Sequence, residues 1–267
     1  MDIKDFLIAE GEKPLDRMPT DGGFMSIFRT VACVGDSLSS GEFQVLNPLG
    51  DYVYTDQFAY SWGQYIARMS GVKVYNFSRG GMSAREFMTG WAKENGCFDE
   101  EKRAQAYFIA LGVNDLVNQN QEIGSIADIN LQDETQNAPT YYGYMGQIIQ
   151  TYRKIAPDSK IFLVGMPFEP HKERFVTCAK QQREVLYALA KLFENTYVLD
   201  LFEYAPPFDE EFHKTFFLHG HMAPTGYYVF AKIVAAYVDY IVRKNPKDFK
   251  LAGMINLNVP MLENQLD

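Results

Sequence analysis

The chain has 267 residues, 47% of them hydrophobic and 15% aromatic, which is ample for one packed α/β domain and argues against global disorder. A formal net charge of −9 with no basic stripe argues against a protein that wraps a nucleic-acid backbone, because such proteins gain affinity through clustered Lys and Arg. The opening segment MDIKDFLIAEGEKPLDRMPT resembles neither a signal nor a transit peptide, no run approaches the roughly 18 apolar residues of a membrane span, and Cys33, Cys97 and Cys178 are too few and too scattered for a disulfide framework, so a cytoplasmic location is expected.

In chain order, short β-rich runs alternate with longer segments of helical period. The predicted strands are TVACVG (30–35), VKVYNF (72–77), AYFIALG (106–112), KIFLVGM (160–166) and TYVLDL (196–201). Helices are predicted near 57–69, 83–95, 141–156 and 173–194, with a last one over 224–243 opened by Pro224. Nearly continuous apolar strands separated by helices imply right-handed crossovers and a parallel sheet covered on both faces, a three-layer α/β/α sandwich. The core spans about 29–243, with an extension at 1–28 and a tail at 244–267, all read as one domain.

Two polar segments break this rhythm, residues 117–140 and residues 203–222, the second carrying three of the four histidines. Both follow strand ends on the carboxyl side of the sheet, where open α/β sheets bind ligands.

The strand ends also carry the residues that could do chemistry. The first gives Gly35-Asp36-Ser37-Leu38, the second Asn76 and then Gly80-Gly81, and the third Asn114 and Asp115; His221 stands just ahead of the last helix. A serine becomes a competent nucleophile only when a neighbouring base takes its proton, and histidine has the pKa for that task. Acyl transfer also needs donors aimed at the developing oxyanion, and the Ser37 and Gly81 backbone N–H groups and the Asn114 amide could supply three.

Taken in order, GDSL at 35–38, the Asn76 to Gly81 block, GVND at 112–115 and a histidine before the last helix resemble the four blocks of the SGNH, or GDSL, hydrolases over roughly residues 29–243. The resemblance implies a flavodoxin-like fold with a five-stranded parallel sheet in order 2-1-3-4-5 and hydrolysis of esters or thioesters. It implies Ser37 as nucleophile, Gly81 and Asn114 as oxyanion-hole partners and His221 as general base, with no metal or organic cofactor.

One position departs from the family pattern. The last block is usually Asp-x-x-His, and three residues before His221 stands Leu218, which can neither orient an imidazole nor stabilise its cation. A backbone carbonyl near 218 or 219 could accept the ring N–H, a carboxylate from Asp209, Glu210 or Glu211 could fold back, or His219 could be the base; the HMAPTGY that follows His221 fits the family pattern better.

Other residues read as structural: Asp36, Asn76 and Asp115 as braces of their turns, Asp200 as a loop cap, and Cys33 as buried and inert. His171 and His213 read as surface or loop residues and not as ligands, outside any His/Asp/Glu cluster with metal spacing. Tyr52, Tyr54, Phe58 and Tyr60 are candidates for substrate contact or core cover. The expected substrate is a short acyl ester, such as an O-acetyl group on a carbohydrate. A lysophospholipase or acyl-thioesterase would use the same residues, and a binding protein that has lost turnover is the reading from another class.

Overall fold

A computed structural model describes residues 2–257. The sheet is built from β1 (Thr30–Gly35), β4 (Lys73–Ser78), β5 (Ala106–Ala110), β6 (Lys160–Val164) and β7 (Thr196–Leu199), all parallel. Their spatial order is β4-β1-β5-β6-β7, which in chain order of these five strands is 2-1-3-4-5.

Alternation along each strand decides which layer each side chain joins. Val31 and Cys33 of β1, Phe108 of β5 and Phe162 of β6 face the layer formed by the Trp62–Ser70 and Pro224–Lys244 helices. Ala32, Val34, Tyr107, Ile109, Ile161 and Leu163 face the opposite layer, formed by the Tyr141–Ile155 and Glu173–Leu192 helices. Both faces are therefore apolar, which is why the strands read as continuous hydrophobic runs. All three cysteines are buried free thiols, and burial pushes the Cys33 thiol upward. No helix among the described residues is long and apolar enough to cross a membrane.

Several elements differ from the sequence reading. The segment 57–69 divides at Ser61, which caps the Trp62–Ser70 helix through the Gln64 N–H and leaves Phe58–Tyr60 as a separate short turn. The 83–95 helix carries a wider turn over Phe87–Trp91, where Gly90 leaves helical geometry. Between β1 and the Trp62 helix lies an antiparallel hairpin, β2 (Glu42–Leu46) and β3 (Tyr52–Asp56), that the sequence reading left without structure. Its signal was present as two five-residue runs, EFQVL and YVYTD, on either side of an Asn-Pro/Gly-Asp turn. A second, two-residue hairpin pairs β8 (Phe217–Leu218) with β9 (His221–Met222) ahead of the last helix.

The N-terminal extension packs on the last helix: Arg243 pairs with Glu12 at 2.6 Å, and the Gly23–Ile27 turn lies against the same helix. The tail is described to Leu257, and residues 258–267 lie outside the described residues.

Candidate active site

Strand β1 lies between β4 and β5, with Gly35 in register with Ser78 on one side and Ala110 on the other. This register delivers the three strand-end segments to one place. Asp36 leaves β1 in extended geometry and caps the short Ser37–Ser40 helix, its Oδ1 accepting the Leu38 N–H at 3.1 Å.

The three serines of this turn differ in environment. Ser39 accepts the Trp62 indole N–H at 3.2 Å and is buried, and Ser40 donates to Asp56 and is also buried. Ser37 alone among them lines the cavity at the sheet edge. Burial pushes the Asp36 carboxyl up to about 7, which fits a structural brace rather than a resident anion.

The second segment is fastened to the third. Asn76 Oδ1 accepts the Ser78 N–H at 3.1 Å, and the chain turns at Gly81, whose φ of +73° is the left-handed conformation that a side chain resists. Asn114 Nδ2 donates to the Met82 carbonyl at 3.1 Å, and Asn118 Nδ2 donates to Asn114 Oδ1 at 2.7 Å. That pair of bonds fixes which end of the Asn114 amide is nitrogen and leaves its second N–H for the cavity. Asp115 Oδ1 accepts the Ala84 N–H at 2.9 Å while its Oδ2 has no partner. Burial pushes this carboxyl up to about 6, against the backbone N–H groups that favour its charged form.

The cavity at this edge has a volume of about 880 Å³ and is lined by Ser37, Gly81, Asn114 and His221 together. His221 arrives on β9, which packs against the Ser37–Ser40 turn and against β2. Tyr227, one helical turn into the last helix, ties these parts together by donating to the Glu42 carbonyl at 2.7 Å and the Ser37 carbonyl at 3.4 Å.

Around the imidazole stand groups from the β2–β3 hairpin. Gln44 Oε1 lies 3.4 Å from His221 Nδ1, Glu42 Oε2 lies 3.6 Å from His221 Nε2, and the Tyr54 ring meets the imidazole edge-on at 5.9 Å. Desolvation holds the His221 pKa below its ordinary value, with Asp56 opposing. Burial, with Asp56 beside it, raises that of Glu42. Gln44, Glu42 and Asp56 were absent from the sequence reading, because nothing local marks a hairpin side chain as the neighbour of a histidine some 177 positions away.

The other candidates lie elsewhere. His219 occupies the β8–β9 turn with φ +56°, is exposed, and stacks edge-on with Tyr52 at 5.2 Å. Asp209 is spent as the cap of the Glu210–Phe216 helix, accepting the Phe212 N–H at 2.9 Å. Neither lines the cavity. Leu218 is the ladder partner of His221. Asp200 accepts from Arg183 at 2.6 Å, from Tyr187 at 2.8 Å and from the Glu203 N–H at 3.2 Å, and it caps its loop. Of the two polar segments, 117–140 contributes only Val117 and Asn118 to the cavity wall, whereas 203–222 contributes Phe208, Phe217, Gly220 and His221.

The sequence reading of His171 and His213 requires correction. With Glu169 they form a group whose donor atoms lie within 4.8 Å of one another, drawn together from the loop after β6 and from the Glu210–Phe216 helix. As a donor set, two imidazoles and a carboxylate could hold a divalent cation. Here Lys172 Nζ lies 2.6 Å from Glu169 Oε2, the same oxygen that His213 Nε2 approaches at 3.2 Å and His171 Nε2 at 4.0 Å. An ammonium thus neutralises the carboxylate on which the group converges.

Comparison with solved structures shows the same fold in carbohydrate esterases. A family two carbohydrate esterase from Clostridium thermocellum, solved with cellohexaose, is 16% identical with a TM-score of 0.55; the match covers 86% of this chain and just under two thirds, 66%, of that one. A family 3 carbohydrate esterase from the same organism is 16% identical with a TM-score of 0.51, over 80% of this chain and 97% of the other. A Lactobacillus plantarum protein is 14% identical with a TM-score of 0.59, over 79% and 97%. Comparison with curated protein sequences finds no match. Residues 33–229, which include Ser37, Gly81, Asn114 and His221, match the GDSL-like Lipase/Acylhydrolase family. The chain belongs to that family and is an ester hydrolase of the GDSL type.

Proposed function

We propose that the protein hydrolyses short acyl esters, with O-acetyl groups on a carbohydrate as the substrate class, through an acyl-enzyme on Ser37. The observation that carries this reading is the convergence of Ser37, Gly81, Asn114 and His221 on one cavity at the carboxyl ends of β1, β4 and β5. His221 Nε2 takes the Ser37 hydroxyl proton as Oγ attacks the acyl carbon, and the Gly81 N–H and the free Asn114 N–H receive the oxyanion. The same nitrogen returns the proton to the leaving alcohol, and water then repeats the sequence to release the acid.

The carbohydrate part rests on the character of the cavity. Its lining includes Arg79, Glu169, Lys172 and Arg174 alongside Tyr54, Phe175, Phe208 and Phe217, and the charged groups suit a hydroxyl-rich leaving group. The neighbours named as carbohydrate esterases point the same way.

Hydrolysis of p-nitrophenyl acetate by wild type and Ser37→Ala tests the chemistry. Wild type turns over and is labelled by a fluorophosphonate, while Ser37→Ala loses at least about 10³-fold in kcat and the label. Equal rates would remove the enzyme reading in favour of a binding protein. A series of p-nitrophenyl acyl esters tests the substrate: kcat/KM falls beyond butyrate for the proposed function and rises with chain length for a lysophospholipase or thioesterase.

A further inference from the structure

Leu218 leaves His221 without the carboxylate that its family pattern would place three residues earlier, and no acid from 209–211 takes its position: Asp209 is the cap of its helix and neither Glu210 nor Glu211 lines the cavity. We propose that Gln44 is the positioning residue for His221: its amide oxygen accepts the Nδ1–H and so presents Nε2, unprotonated, as the base. This rests on the reading of Ser37 and His221 given above.

The end of the Gln44 amide that faces His221 is identified independently of the histidine. Gln44 Oε1 accepts the Gly220 backbone N–H at 2.6 Å, and Gln44 Nε2 donates to the Tyr54 hydroxyl at 3.0 Å. A backbone N–H can only donate, so the end of the amide that faces Gly220 is the oxygen. That oxygen is also the atom 3.4 Å from His221 Nδ1. An oxygen there can only accept, which favours the tautomer with the proton on Nδ1 and the lone pair on Nε2. Gln44 is buried although it belongs to a mostly exposed hairpin, as a residue does when its polar ends are fully used.

Two glycines stand where these groups meet. A Cβ at Gly220 would stand 2.6 Å from Gln44 Oε1, and a Cβ at Gly80 would stand 2.5 Å from Glu42 Oε2. A side chain at either position would therefore push the end of its hairpin partner out of place.

A neutral amide orients but carries no charge. Glu42 lies two residues before Gln44 and so on the same face of β2, with Asp56 opposite it across the hairpin. Glu42 Oε2 at 3.6 Å from Nε2 supplies the negative charge that the imidazolium meets once it has taken the Ser37 proton. The titratable groups that line the cavity or bond within it beside His221 include Glu42, Asp56 and Tyr54 from the hairpin, Asp36 from the Ser37 turn, Arg79 from the loop after β4 and Tyr227 from the last helix.

The test uses Gln44→Ala, Gln44→Glu and Gly220→Ala in the full chain, with kinetics on p-nitrophenyl acetate and ¹⁵N NMR of the histidine rings. Wild type should show the Nδ1–H form of His221. Gln44→Ala should mix the tautomers and lower kcat about 10- to 100-fold with little change in KM, part of the roughly 10²–10⁴ that a positioned base supplies. Gly220→Ala, whose new methyl meets only the movable end of a side chain, should reproduce that loss without altering either partner. Gln44→Glu should retain turnover and move the acid limb of the pH–rate profile upward by about one unit, because a carboxylate at Nδ1 favours the imidazolium. A merely structural glutamine would leave the His221 tautomer unchanged in Gln44→Ala. An Nε2–H form in wild type, or unchanged kcat and tautomer in Gln44→Ala, overturns the proposal. Failure of the Ser37 reading is seen separately as an active Ser37→Ala, and the tautomer measurement does not depend on it.

Discussion

The two halves of the cavity are held by different means. On one side, Ser37, Gly81 and Asn114 stand at the ends of three adjacent strands, and their turns are braced by backbone bonds to Asp36, Asn76 and Asp115. On the other side, His221 sits on a two-residue strand and is surrounded by side chains of the β2–β3 hairpin, which lies outside the main sheet. Backbone register in a buried sheet admits no gradual adjustment, whereas hairpin side chains can be exchanged without disturbing the core. The side that carries Ser37 can thus keep its family pattern while the side that carries His221 tolerates Leu218, as the proposed role of Gln44 requires.

The largest effect that could break this comparison is at the base. His221→Ala should lower kcat by about 10⁴-fold or more, as loss of a serine hydrolase base does, while His219→Ala should leave turnover at the wild-type level. The reverse result would transfer the base to the hairpin turn. On the braced side, Asn114→Ala should cost about 10²–10³ in kcat with KM little changed, as expected for the proposed oxyanion donor. A rise in KM alone would show a substrate contact instead.

A smaller effect concerns pH. Burial raises the Asp36 carboxyl from 3.8 to about 7 and the Asp115 carboxyl to about 6, so the folded chain holds protons that the unfolded chain releases. Their stabilising contribution is present below about pH 4 and declines as pH rises toward 7, by at most about 1.4 kcal/mol per unit for each group. Asp36→Asn keeps the oxygen that caps Leu38 and removes the titration, so urea midpoints between pH 4 and 8 should fall less steeply than in wild type. Parallel curves would show that Asp36 is ionised in the fold.

Activity should respond in the opposite sense. Desolvation lowers the His221 pKa, so the acid limb of kcat/KM should lie below the ordinary histidine value of about 6.5. A limb above that value would mean that Glu42 and Asp56 outweigh burial.

Much of the molecule was legible in the residues because its signals are local. An apolar run ending in Gly-Asp-Ser, or a histidine followed by Met-Ala-Pro ahead of a helix, can be read within a few positions. The two hairpins were missed because five-residue and two-residue strands outside the main sheet barely interrupt a loop. His171 and His213 were read as isolated because their meeting with Glu169 depends on how the loop after β6 lies against a short helix some forty residues on.

By itself the sequence determined the β/α alternation, the parallel sheet and the residues offered at each strand end, since period, turn chemistry and strand burial are properties of neighbours along the chain. Only the tertiary structure decided what stands beside His221. Gln44 and Glu42 reach it because the β2–β3 hairpin folds back over β9, and a contact across 177 positions is set by packing, with no trace in the residues on either side of the histidine.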